Sequence, residues 1–195
     1  MRAGTKAGVD AARVVLSTGT SGANHLVFAA LLSEDDEVVL EHPCYEPIEM
    51  LARHLGATVK SFQRRHENGF RIDPDDVAAV TTPRTRLVVI SNLHNPSSVA
   101  TDEAALRATG SVAARVGAKV VVDEAYFDAA FGQGPPSAAR LGDEFVVTTS
   151  LTKVFGLGGL RCGWIIAEPT LAHRLWQLKN LFGVNEVHPA GRLAL

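Results

Sequence analysis

The chain has 195 residues, 46% hydrophobic and 21% charged, so it is long enough to bury one substantial core and too evenly mixed to be a low-complexity or disordered segment. Its 19 basic against 21 acidic side chains leave a net charge of −2, which gives no general attraction to nucleic acid or to an anionic membrane, so any anion must be held by a local site. No apolar run reaches the length of a bilayer span, and the opening MRAGTKAGVDAARVVL lacks the continuous apolar segment of a secretory signal.

Only two cysteines are present, Cys44 and Cys162, far apart and in no paired spacing. That suits a reducing compartment, with the cytoplasm as the expected location, and both thiols read as small buried apolar groups rather than redox centres.

In chain order, the first structured unit is the turn TGTSGA (18–23) running into an amphipathic stretch at 21–32. The first N–H groups of such a helix have no internal partners and face the positive end of its dipole, so Thr20 and Ser21 are candidates to hold a phosphate. Ordinary N-capping by either hydroxyl is the plainer use. The strand EVVLE (37–41) leads into HPCYEP (42–47), where the Tyr45 ring could stack on a planar ligand or simply pack in the core. An amphipathic stretch at 46–55, the strand ATVKSF (57–62), a further helical stretch at 74–80 and the strand RLVVIS (86–91) follow. After that strand, NLHNPSS (92–98) sets Asn95 before Pro96, which forces the segment out of helix; its amide could serve a ligand or only shape an Asn-Pro turn.

A helical stretch at 102–117 precedes the strand KVVVDEA (119–125). A carboxylate at the end of a buried strand is costly unless it meets a cation or several donors, so Asp123 is a candidate partner for a protonated ring nitrogen, and Tyr126 could donate to an oxygen of the same ring. The alternative is an Asp/Glu pair capping the next turn. FGQGPPSAAR (131–140) reads as a surface loop. The strands FVVTTS (145–150) and GWIIA (163–167) flank SLTKVFGLGGLRCGW (150–164), and a last helical segment runs to about Leu181 before turning irregular. In that Gly-rich stretch Lys153 can be an ordinary solvated lysine or, at a strand end, a Schiff-base lysine; Ser150 and Arg161 would flank it as phosphate ligands.

Apolar strands alternating with helices predict an α/β architecture, a mostly parallel doubly wound sheet covered on both faces. Ligands of such sheets sit beyond the carboxyl ends of the strands, where Asn95, Asp123, Tyr126 and Lys153 all fall. The histidines show no metal-ligand spacing, and no metal is expected. A nicotinamide site is disfavoured, because the glycines follow a lysine and no G-x-G-x-x-G opens the first βα unit.

The ordered set TGTSGA, HPCYEP, NPSS, DEAY and SLTKVFGLGGLRCGW resembles the class I and II aminotransferases, fold-type I pyridoxal phosphate enzymes, including their histidinol-phosphate aminotransferase branch. The resemblance implies that Lys153 forms the Schiff base and later serves as general base. It implies that Asp123 pairs with the pyridine nitrogen, that Asn95 and Tyr126 hold the phenolic oxygen, and that Tyr45 stacks on the ring. The phosphate would fall to Thr20, Ser21, Ser150 and Arg161. Pyridoxal 5'-phosphate is then the cofactor, an amino acid and a 2-oxo acid are the substrates, and the full-length form is a homodimer, with no nucleic-acid or membrane partner. Two departures stand out: Ser97 and Ser98 replace the Thr-Gly usual after Asn-Pro, and the chain is short. The expectation is a large domain spanning 1–195, incomplete at both ends, without the C-terminal small domain that grips the substrate carboxylate, and hence with little turnover alone. A lyase, decarboxylase or cyclase reaction on the same cofactor remains open, as does a cofactor-binding fragment without turnover.

Overall fold

A computed structural model describes residues 8–132 and 134–183. The first seven residues of the stretch tested for a secretory signal, and the irregular ending expected beyond the last helix, lie outside the described residues.

Seven strands form one sheet: β1 (Val14–Thr18), β2 (Glu37–His42), β3 (Thr58–Gln63), β4 (Thr85–Ser91), β5 (Lys119–Asp123), β6 (Phe145–Ser150) and β7 (Cys162–Ile166). Their spatial order is β1-β7-β6-β5-β4-β2-β3. The contacts β2 with β3, β2 with β4, β4 with β5 and β5 with β6 are parallel, while β7 runs antiparallel to both of its neighbours. Among the described residues five α-helices cover the sheet: α1 (Gly19–Leu31), α2 (Glu46–His54), α3 (Pro74–Val80), α4 (Glu103–Ala114) and α5 (Pro169–Phe182). Among the described residues no helix is long and apolar enough to cross a membrane.

Alternation along each central strand sends side chains to two separate cores. Val39, Val88, Val120, Val122 and Val147 pack with Val77 of α3 and Leu106 and Val112 of α4. Val38, Leu40, Val89, Val121 and Val146 pack on the opposite face with Val27 and Phe28 of α1, Ile48 of α2 and Leu175 of α5. These valines are buried on both faces, which is why their runs read as continuous apolar segments. Each such side chain contributes about 1.5–3 kcal/mol of burial. The helices start where local chemistry supplies a partner: Asp73 accepts from Asp75 N at 3.0 Å, Asp102 from Ala105 N at 2.8 Å and Glu168 from Leu171 N at 2.9 Å.

Strand β1 is an element the sequence did not announce. Its five residues follow a polar, basic leader and end in Ser17 and Thr18, so the run is too short to stand out, and its identity comes from pairing along the whole length of β7. The segment 131–140 also departs from a plain surface loop. Ala138 and Ala139 are buried, and Glu124 draws them in by accepting from Ala138 N at 2.9 Å and from the Ser137 hydroxyl at 2.8 Å. Cys162 is buried and Cys44 half-buried, and neither is in a disulfide.

Candidate active site

The carboxyl ends of β1, β2, β4, β5 and β6 and the amino end of β7 meet at one rim, because the register sets Thr18 opposite Cys162, Ser150 opposite Gly163, and Asp123 between Ser91 and Thr148. A cavity of about 150 Å³ opens there. Thr20, Ser21, Tyr45, Asn95, Asp123, Tyr126, Ser150, Lys153 and Arg161 all line it, together with Asn24, Ile48, Ser91, Ala125 and Thr152.

Its two ends differ in charge. At one end Asp123, only 8% exposed, closes β5. Its Oδ1 accepts from Ala125 N at 3.0 Å and its Oδ2 from Asn24 Nδ2 at 3.0 Å. Burial pushes the Asp123 carboxyl above the usual range, opposed by the Asn24 and Ala125 donors and by the charge of Lys153. The fold therefore holds a carboxylate in need of a cation. Asn24 is held in turn by the Thr148 hydroxyl, which donates to its Oδ1 at 2.6 Å. Sequence reasoning passed over Asn24, although a buried amide one helical turn beyond Thr20 in an apolar helix was a readable signal.

The other end gathers anion donors. The helix α1 opens at Gly19 after Thr18, whose side chain makes no cap, so the helix takes no N-cap bond from Thr20 or Ser21, which lie within its first turn. Thr20 donates to Ser150 Oγ at 2.9 Å. Arg161 reaches the same place from the short turn before β7, bonding Thr18 O at 3.2 Å. Two glycines permit this approach. Gly19 has φ +78°, and a Cβ there would stand 2.8 Å from the Arg161 guanidinium; a Cβ on Gly163 would stand 2.6 Å from the Gly19 carbonyl carbon.

Lys153 is exposed at the mouth between these ends, its Nζ 5.8 Å from the centre of the Tyr126 ring. Tyr45 precedes α2 and is 47% exposed, so it is no core residue. Asn95 is half-buried in the loop after β4, where its backbone N–H donates to Ser91 Oγ at 2.9 Å. His94 beside it is buried, bonding Ser97 Oγ at 2.6 Å and Pro43 O at 2.9 Å, and burial pushes its pKa down to about 4. Thr152 Oγ1, also on the cavity, is buried without a partner. Hydroxyls and a guanidinium at one end, with the orphaned Thr152 hydroxyl beside Ser150, and a buried carboxylate at the other suit a small dipolar ligand carrying an anionic and a cationic group.

The sequence profile of the family "Aminotransferase class I and II" matches residues 2–194. The chain belongs to the class I and II aminotransferases. Within that family it is 33% identical to the arginine–pyruvate transaminase of Pseudomonas aeruginosa over 87% of this chain and 44% of the relative. It is 36% identical to the capreomycidine synthase of Streptomyces vinaceus over 86% of this chain and 43% of the relative, and 30% identical to the histidinol-phosphate aminotransferase of Methanocella arvoryzae over 96% and 50%. Among solved structures, a PLP-dependent aminotransferase from Streptococcus suis superposes with a TM-score of 0.81 at 29% identity, covering 87% of this chain and 45% of that one. The chain thus spans about half the length of the curated relatives it matches. As a class I and II aminotransferase chain it has the α/β fold of that family, a mixed sheet with helices on both faces.

Proposed function

We propose that this chain is the pyridoxal phosphate-binding large domain of an aminotransferase that moves an amino group between an amino acid and a 2-oxo acid. The observation that carries this reading is the polarity of the rim cavity, with buried Asp123 at one end, Thr20, Ser150 and Arg161 at the other, and the Lys153 amine at its mouth. Bound there, pyridoxal phosphate supplies an aldehyde that takes up an amino group and a protonated ring that draws electrons from the substrate α-carbon. Asp123 keeps the ring nitrogen protonated, since an adjacent negative charge favours the cationic form. Thr20, Ser21, Ser150 and Arg161 bind the phosphate, aided by the unpaired N–H groups opening α1. Asn95 and Tyr126 would donate to the phenolic oxygen, and Tyr45 would pack against the ring. Lys153 Nζ would hold the cofactor and, as a free amine, would hold and move a proton at that atom. In its full-length form the enzyme works as a cytoplasmic homodimer, a location supported by two cysteines that form no disulfide.

Borohydride reduction with added pyridoxal phosphate, followed by peptide mapping, tests the assignment. A label confined to Lys153 and lost in Lys153→Ala is expected; a label spread over other lysines, or none, refutes it. A second reading, another reaction at the same cofactor, draws support from the 36% identity to a protein whose name denotes a synthase rather than a transaminase. Release of a 2-oxo acid with conversion of the cofactor to its amine form favours transamination; release of any other product favours the second reading.

A further inference from the structure

Outside the cavity the described residues contain one fully buried ion pair that the reading above does not use. Arg64, directly after β3, and Glu41, in β2, have side chains 0% and 3% exposed and meet at 2.7 Å. Burying both charges is costly, and the fold meets that cost by satisfying nearly every polar atom around them. Arg64 donates to Phe70 O at 2.7 Å and to the Thr101 hydroxyl at 3.2 Å. Glu41 Oε1 accepts from Ser91 N at 2.6 Å and from the Ser91 hydroxyl at 2.5 Å.

Two of those partners, Ser91 and Thr101, bracket one segment. Ser91 and Thr101 are the two ends of the loop that carries Asn95, and both are tied to the same ion pair. Thr101 is also joined to the start of the loop, its N–H donating to Asn92 Oδ1 at 3.1 Å. An ionised carboxylate can only accept, so the Ser91 hydroxyl must spend its proton on Glu41 and turn its lone pairs outward. The Asn95 N–H donates to those lone pairs at 2.9 Å. Burial pushes Glu41 up to about 7 while Arg64 and Ser91 pull it down, so it is an anion at mildly alkaline pH.

We propose that Glu41 and Arg64 are positioning residues that clamp both ends of the 91–101 loop and so fix the direction in which the Asn95 amide is presented to the cofactor's phenolic oxygen. The role toward the cofactor rests on the reading of the preceding subsection; the clamp itself does not. Neither residue lines the cavity, so any effect on the cofactor travels through Ser91 and the loop.

Two variants of the full chain test this at about pH 8, where Glu41 is ionised. The double replacement Glu41→Met with Arg64→Met fills the space with apolar groups, an exchange that buried ion pairs tolerate better than loss of one partner. Amide hydrogen exchange on the cofactor-free chain is expected to show the Asn95 and Thr101 N–H groups exchanging roughly tenfold faster or more in the double variant, with the strand amides of β4 and β5 still protected. Ser91→Ala, which leaves the ion pair standing, is expected to release Asn95 alone. Unchanged Asn95 exchange in Ser91→Ala overturns the clamp even if the double variant does not fold. With pyridoxal phosphate bound, loss of a donor to an anionic oxygen raises the pH at which the visible absorption band changes, by on the order of one unit, in both variants. Faster exchange with an unmoved band overturns the link to the cofactor. A wild-type chain that forms no band on Lys153 instead defeats the functional reading, and the exchange experiment still decides the clamp.

Discussion

Replacing Asp123 by Asn separates what the cofactor gains from this carboxylate from what the fold loses to it. The change is nearly isosteric, and the pocket can absorb it. Ala125 N can donate to the new amide oxygen as it does to Oδ1. The new amide nitrogen would oppose Asn24 Nδ2, which relaxes if Asn24 turns its amide over and the Thr148 hydroxyl, now donating at 2.6 Å, accepts instead. Burial raises the Asp123 pKa, so between its ordinary value near 3.8 and the raised one the folded chain holds a proton that the unfolded chain has released. Stability from this group is therefore present at low pH and declines as pH rises through that window. Asp123→Asn removes the decline, so the cofactor-free variant melts higher than wild type at mildly alkaline pH, with the difference shrinking toward pH 4. Cofactor binding moves the other way. A charge-assisted bond to a protonated ring nitrogen is worth about 1.5–3 kcal/mol, so pyridoxal phosphate should bind about 10- to 150-fold more weakly. Thermal melts at two pH values with an absorbance titration of the cofactor measure both arms. A variant that is less stable than wild type at alkaline pH, or that binds cofactor as tightly, refutes the reasoning.

Other perturbations have similarly definite outcomes. Asn24→Ala takes one of two donors from buried Asp123 and should cost about 1–3 kcal/mol at alkaline pH and less in acid, read by urea titration. Gly163→Ala puts a Cβ against the Gly19 backbone, which cannot swing aside, whereas Gly19→Ala meets the movable end of Arg161 in a left-handed conformation. Both should destabilise by about 1–3 kcal/mol or more, with Gly163→Ala the worse folded and Gly19→Ala losing cofactor affinity beyond its effect on stability. His94, with its pKa lowered from 6.5 to about 4, contributes stability that is complete above its unfolded value and is lost as pH falls through this window, about 3 kcal/mol in all. His94→Gln should flatten that acid-side loss in melts recorded across the same range.

The parallel core was readable because strands buried on both faces are apolar through their middles, as Val38–Leu40, Leu87–Ile90, Val120–Val122 and Phe145–Val147 are. The rim residues were readable because a carboxylate, an amide and a lysine that closely follow such strands have little structural reason to be there. What escaped the sequence depended on partners far along the chain. Strand β1 is defined by its pairing with β7, Asn24 by the carboxylate it faces across the sheet, and the Glu41–Arg64 pair by a contact between neighbouring strands. Glu124 reads as one half of an Asp/Glu pair, yet the two carboxylates serve different places, Asp123 the rim and Glu124 the Ser137–Ala138 turn. The change of direction at β7 was likewise invisible, since its composition matches that of the parallel strands.

The anion end of the cavity joins residues separated by 130 positions, Thr20 with Ser150, and by 143, Thr18 with Arg161. Contacts that span so much of the chain form late, because the intervening loop must first be ordered by the strands between them. During synthesis, β2 to β5 can pair while β7 is still inside the ribosome; the anion end of the cavity is complete only when residue 163 has emerged and folded back beside residue 19. On the proposed reading, cofactor capture is thereby tied to the completion of the sheet, because a chain stalled before β7 carries Lys153, Ser150 and Arg161 without the strand that pairs with β1 and sets Arg161 against Thr18.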